Sequence, residues 1–141
     1  MRICDLTTLY IDGGEGGVNT YLTEKARYLA EHGASHQHTI IVPGAQHWQG
    51  TLFNSTLYSI RSPRFYYNPQ HRILTNFRRV CQLLVAIQPD IIEVDCVYFL
   101  GHWARAAMGQ RRIPLVGFYH THLPSLYTRP LQQHVGQTVA G

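Results

Sequence analysis

The stretch from Leu9 to Gly33, LYIDGGEGGVNTYLTEKARYLAEHG, restricts the fold more than any other part of the chain. Ahead of it, Met1 to Leu9 (MRICDLTTL) alternates apolar and polar residues and is rich in β-formers, which predicts a first strand. Gly13, Gly14, Gly16 and Gly17 crowd the turn that follows, where glycine lets a backbone approach a ligand closely or take a positive φ. From Val18 the spacing becomes helical: Val18, Tyr21, Leu22, Ala26, Leu29 and Ala30 share one face, and Gly33 supplies a C-terminal stop. A helix N-terminus fed by a glycine loop presents unpaired N–H groups and the positive end of the helix dipole, which suits an anion. The loop alone fits a tight connection in an α/β domain equally well, because its spacing is not the G-x-G-x-x-G dinucleotide fingerprint.

Beyond Gly33 the same alternation of strand and helix continues. HTIIVPG, His38 to Gly44, is a short β-branched strand ending at a Pro-Gly break. Ala45 to Thr56 reads as a polar loop, Leu57 to Ile60 as a short strand, and Ser62 to Pro69 as an irregular aromatic stretch. A helix is predicted from Gln70 to Ile87, where Ile73, Leu74, Phe77, Val80, Cys81, Leu84 and Val85 recur at intervals of three and four. Pro89 ends it, and IIEVD, Ile91 to Asp95, reads as a buried strand. Tyr98 to Gly109 reads as a helix and Leu115 to Tyr119 as the next strand. This pattern predicts an α/β fold with a doubly wound parallel sheet. In such sheets the binding crevice lies at the C-terminal ends of the strands. Three loops there carry chemistry-capable residues: the glycine loop, Asp95 to Phe99, and His120 to Pro124.

With 141 residues the chain is long enough for one domain with a real core. An apolar content of 45% with 14% charged residues belongs to a folded protein rather than a disordered one. No apolar run reaches the roughly eighteen residues of a membrane span. Asp5 and Asp12 interrupt the residues after Arg2, so this stretch is not expected to act as a signal peptide. Cys4, Cys81 and Cys96 are odd in number, scattered and set among apolar residues, as in reduced cytoplasmic proteins.

The placement of charge says more than its net value of +4. No acidic residue lies between Glu31 and Asp90, whereas Arg61, Arg64, Arg72, Arg78 and Arg79 all do. Arginine is the better residue for bidentate phosphate contacts. The bias suits an anionic membrane surface touched by Arg72, Arg78 and Arg79, a phosphorylated substrate, or a plain solvated face. Nucleic acid ranks last, since no recognised binding motif accompanies the charge.

HTHLP, His120 to Pro124, follows its strand directly. In extended geometry His120 and His122 point to the same side. Such a pair can bind a divalent metal, as in barrel hydrolases. One of the two can instead orient or deprotonate a hydroxyl, or either can be a hydrogen-bonded turn residue. A metal site needs three or four ligands, and no further pair has ligand spacing, so no metal is expected. His32, His36 and His38 read as surface residues at the other end of the sheet.

Four segments, in order, resemble the N-terminal domain of a GT-B glycosyltransferase of the retaining family 4 class. MRICDLT with GGVNTYLTEKARYLAEHG is similar to that family's first strand, Gly-Gly loop and first helix. HTIIVPG resembles its second strand, QPDIIEVD its Pro-Asp-strand segment, and IPLVGFYHTHLP its strand running into a His-Thr/Ser-Asp-aromatic-Pro turn. His122 and Leu123 depart from the aspartate and the aromatic residue usual there. The resemblance implies transfer of a sugar from a nucleotide-diphosphate donor to an acceptor hydroxyl with retained anomeric configuration, needing neither metal nor other cofactor. It places Gly16 and Gly17 by the donor diphosphate and His120 at the transferred sugar as the catalytic histidine. Asp95, Tyr98, Thr121 and His122 fall on the acceptor side. The whole chain, residues 1–141, matches the acceptor-side domain only. It is therefore expected to be incomplete, without its donor-binding partner domain, and inactive by itself. Two rivals stand beside this reading: a non-catalytic acceptor- or phosphate-binding module, and a metal-dependent hydrolase using His120 and His122. The expected setting is cytoplasmic, peripheral to the inner face of the membrane.

Overall fold

The computed structural model describes residues 1–11, 13–96 and 99–118. The chain runs from β1 (Arg2–Leu6) through α1 (Gly17–His32) to β2 (Gln37–Gly44). β3 (Trp48–Leu52) and β4 (Ser55–Arg61) follow, then a small hairpin of β5 (Arg64–Phe65) and β6 (Asn68–Arg72). Next come α2 (Phe77–Ile87), β7 (Ile91–Val94), α3 (Phe99–Met108) and β8 (Leu115–Gly117). Six strands form one sheet in the order β3-β4-β2-β1-β7-β8, while β5 and β6 pair with each other. β3 is antiparallel to β4, and every other pairing in that sheet is parallel. The parallel strands counted in chain order therefore lie 3-2-1-4-5, the doubly wound arrangement expected from the sequence.

Strand alternation divides the core into two layers. On one face Val18, Leu22 and Ala26 of α1 cover Ile40, Val42 and Leu57. On the other, Val80, Leu83 and Leu84 of α2 and Leu100, Ala104 and Met108 of α3 cover Cys4, Leu6, Ile41, Ile60, Ile92 and Val94. β1 shows the division most clearly, with Cys4 and Leu6 facing α2 and α3 while Asp5 faces α1. Burial also holds the Cys4 thiol well above the usual thiol range, with the neighbouring Asp5 charge adding to the effect.

Several elements depart from the sequence reading. The polar stretch from Ala45 to Thr56 holds β3, an edge strand turned back through Phe53 at φ 53°. Its side chains alternate in exposure only weakly, because an edge strand has one covered side and no clean apolar period. The irregular aromatic stretch is the β5–β6 hairpin. The second helix begins at Phe77 rather than Gln70, since Asn76 caps it by accepting from the Arg79 amide. Arg72 accordingly lies on β6, outside that helix. Leu83, absent from the expected stripe, is buried, whereas Phe77 and Val85 within that stripe are exposed. Gln88 ends the helix in the left-handed region, ahead of Pro89. His38 is not a surface residue: it is 5% exposed and lies beneath α1.

Candidate functional site

The connection from β1 winds through α1 toward β2, and that from β7 winds through α3 toward β8. Neighbouring strands β1 and β7 thus send the chain in opposite directions, and the switch point of the sheet lies between them. A crevice opens there at the strands' C-terminal ends, lined by Thr7, Val18, Tyr21, Glu93, Asp95 and Phe118 among others.

Asp95 joins the two strand ends. Its carboxylate accepts from the Thr7 hydroxyl, from the Thr8 amide at 3.0 Å and from the Leu9 amide at 3.1 Å. Charge-assisted bonds of this kind are stronger than neutral ones. They tie the start of the β1–α1 loop to the end of β7. Asn19 of α1 clamps the next part of that loop. Its side chain accepts from the Ile11 amide at 3.0 Å and donates to the Ile11 carbonyl at 2.7 Å and the Gly14 carbonyl at 3.3 Å. Gly13 takes φ 65°, and a Cβ on Gly14 would stand 2.2 Å from Ile11 Cγ2, so the chain itself demands glycine at both. Gly16 and Gly17 differ. Among the described residues, a Cβ on Gly16 would meet nothing nearer than Ile11 Cδ1 at 3.9 Å, and one on Gly17 nothing within 4 Å.

Beneath the crevice lies a buried ionic network. Asp5 and Glu93 are register partners on β1 and β7, two like charges side by side. Lys25 of α1 sits between them, 2.9 Å from Asp5 and 2.8 Å from Glu93. His38 lies 2.6 Å from Asp5 through Nε2 and 2.6 Å from the Ser55 hydroxyl through Nδ1. Burial by itself would raise the Asp5 pKa. The His38 bond and the Lys25 ammonium outweigh it and hold the carboxyl below the usual carboxylate range. The Tyr21 hydroxyl donates to Glu93 at 3.1 Å. Burial, then the Glu93 and Asp5 charges, push that phenol above its ordinary value. Tyr21 also lies 4.8 Å from the Phe118 ring, which brings the end of β8 to the same crevice. The Ser55–His38–Asp5 chain has the order of a hydrolytic triad but is buried throughout, so it is structural.

Of the residues singled out in the sequence, the fold brings Gly16, Gly17 and Asp95 to the same end of the sheet. Tyr98, His120, Thr121 and His122 lie outside the described residues. The arginines do not form one patch on one helix. Arg72 donates to the Ser62 carbonyl at 2.8 Å from β6, while Arg78 and Arg79 are exposed in the first turn of α2. The sequence did not mark Asn19, Tyr21, Lys25 and Glu93 as site residues. Lys25 had a signal, since it falls three and four residues after Leu22 and Tyr21, on the apolar stripe itself.

A doubly wound sheet with a glycine loop at its switch point defines the class: a Rossmann-like α/β domain, in which the crevice above β1 and β7 is the usual place for a ligand. The model of Glycosyltransferase Family 4 matches residues 15–139, and the chain belongs to that family. No curated protein and no solved structure matches it.

Proposed function

We propose that the chain supplies the acceptor-side domain of a retaining glycosyltransferase, which moves a sugar from a nucleotide-diphosphate donor to an acceptor hydroxyl. The observation that carries this is the space left at Gly16 and Gly17 among the described residues. Among the described residues, packing asks for glycine at 13 and 14 but not at 16 and 17, which supports a role for the second pair in leaving room for a ligand. That space adjoins the first turn of α1, whose amide groups have no earlier helical carbonyl to meet. Charge growing on a departing diphosphate is stabilised by such fixed N–H groups. Membership of Glycosyltransferase Family 4 supports sugar donors and acceptors as the substrate classes.

In this reading His120, three residues beyond the end of β8, is the catalytic histidine holding a hydroxyl at the reaction centre. Tyr98, Thr121 and His122 serve the acceptor. Asp95 is bound by the start of the β1–α1 loop, so its contribution is to position that loop beside the acceptor. A donor-binding domain facing this one completes the site, and the reaction draws on no metal. The three free thiols, with Cys4 buried, support a reducing, cytoplasmic setting.

Incubated with a panel of nucleotide-diphosphate sugars, the 141-residue chain is expected to release no nucleotide diphosphate. Turnover by this chain alone would overturn the two-domain reading. In the enzyme that carries both domains, NMR of the product should show the donor's anomeric configuration retained. His120→Ala there should lower turnover by about 10²–10⁴-fold, the range typical of a positioned acid–base group, with the fold intact. Near-normal turnover would remove His120 from the reaction.

A further inference from the structure

The β5–β6 hairpin stands outside the six-stranded sheet and carries features that its own folding does not require. Tyr66 and Tyr67 form its tip, 87% and 78% exposed, with their rings edge to face at 5.3 Å. Behind them Arg64 and Arg72 are register partners on the two strands. Like charges directly opposite destabilise a strand pair, so this placement works against the hairpin unless an anion meets it. Each guanidinium commits one bond to backbone, Arg64 to the Pro69 carbonyl at 3.0 Å and Arg72 to the Ser62 carbonyl at 2.8 Å. Five N–H donors per arginine leave most of the fork available for phosphate or carboxylate oxygens. Among the described residues neither arginine lies within ion-pair distance of a carboxylate.

Topology sets where this hairpin points. It leaves β4 at that strand's C-terminal end, the same edge of the sheet as the crevice. α2 must start from that edge to lead back to β7, so Arg78 and Arg79 in its first turn lie there too. Basic residues at a helix N-terminus oppose the helix dipole, a second local disadvantage in one region. We infer that the β5–β6 hairpin is a membrane-docking element, inserting Tyr66 and Tyr67 at the headgroup level of an anionic bilayer while Arg64 and Arg72 bind lipid phosphate and carboxylate groups. Tyrosine suits that depth because its ring is apolar and its hydroxyl wet, and arginine can extend its charge to the headgroups along an apolar stem. An anionic leaflet supplies both halves of the match, apolar interface and negative charge, over a single surface.

Sedimentation of the full chain with lipid vesicles tests this. Binding is expected to phosphatidylcholine vesicles containing about 30 mol% phosphatidylserine and not to phosphatidylcholine alone, since each basic residue near an anionic surface adds about fivefold in affinity. Raising salt from about 50 mM to about 500 mM should release the protein as the Debye length shrinks. Tyr66→Ser with Tyr67→Ser should weaken binding about tenfold or more, the scale of lost interfacial aromatics. Arg64→Gln should weaken it several-fold and flatten the salt dependence. Both variants should unfold thermally like the parent, because the altered side chains are exposed. Absence of binding at low salt, or full binding by the tyrosine variant, overturns the proposal. Equal or tighter binding to single-stranded RNA that does not need the tyrosines overturns it in favour of a nucleic-acid surface.

Discussion

Four glycines in five positions look interchangeable in the sequence, yet the demands on them differ. Gly14 is closed off by Ile11, a β-branched side chain with little freedom to move aside. Gly14→Ala is therefore expected to destabilise the domain by about 1–3 kcal/mol, the usual result of forcing atoms into filled space, read from its urea midpoint. Gly17→Ala should leave stability unchanged or raise it by about 0.5–1 kcal/mol, as glycine replacement in a helix does, while abolishing turnover in the two-domain enzyme. A Gly17→Ala enzyme of full activity would show that no ligand approaches there. Asp95 offers the complementary case. Asp95→Asn weakens charge-assisted bonds to Thr8 and Leu9. It should cost about 1–3 kcal/mol and speed hydrogen exchange at those two amides above the rest of β1. Unchanged protection at Thr8 and Leu9 would detach Asp95 from the loop.

At the scale of elements, α1 is held to the sheet by charge as well as by Val18, Leu22 and Ala26. Its first turn has no capping side chain at Gly16, so Asn19 and Lys25 do the anchoring that a cap would otherwise share. Lys25→Met keeps the length of the stem but removes the ammonium between Asp5 and Glu93. Removing one partner of a buried ion set typically costs about 3–5 kcal/mol, and chemical denaturation at neutral pH should show a loss of that order. A second change, Glu93→Gln, should recover part of it by removing one of the two like charges. No recovery in the double variant would mean that Lys25 matters for packing alone. α2 shows how an end signal outweighs periodicity. Apolar spacing continues back to Ile73, but the Asn76 cap and the β6 ladder claim the residues before Phe77.

Across the whole molecule the ionic network couples stability to pH. The folded pKa of Asp5 lies below its unfolded value, so the unfolded chain binds the proton more readily. Its stabilisation is complete at pH values above the unfolded carboxylate pKa of about 3.9 and drains away as pH falls toward the lower folded pKa. Unfolding free energy should therefore drop steeply below about pH 4 in the parent and less steeply in Asp5→Asn, whose deficit relative to the parent shrinks as pH falls. Parallel acid profiles in the two proteins would remove Asp5 as a source of the slope. Among the described residues no helix is long and apolar enough to cross a membrane.

Strand and helix periods, the Gly-Gly loop and the Pro89 stop were legible along the chain because they rest on local geometry: two-residue and 3.6-residue repeats, and backbone freedom at glycine. From them follow the alternating β-α order, the parallel sheet and the crevice end of each strand. The partners of Asp5, His38, Lys25 and Glu93 were not legible. They lie on four elements, up to 88 residues apart in the β1–β7 pairing, and only strand order and register decide which carboxylates become neighbours. Asp5 looks like an interruption in an apolar strand until β7 sets Glu93 beside it and α1 lowers Lys25 between them. The same holds for β3, whose sequence is polar because one side faces solvent, and for Gly16 and Gly17. Their spacing is written in the chain, but the space left around them among the described residues is a property of three-dimensional packing.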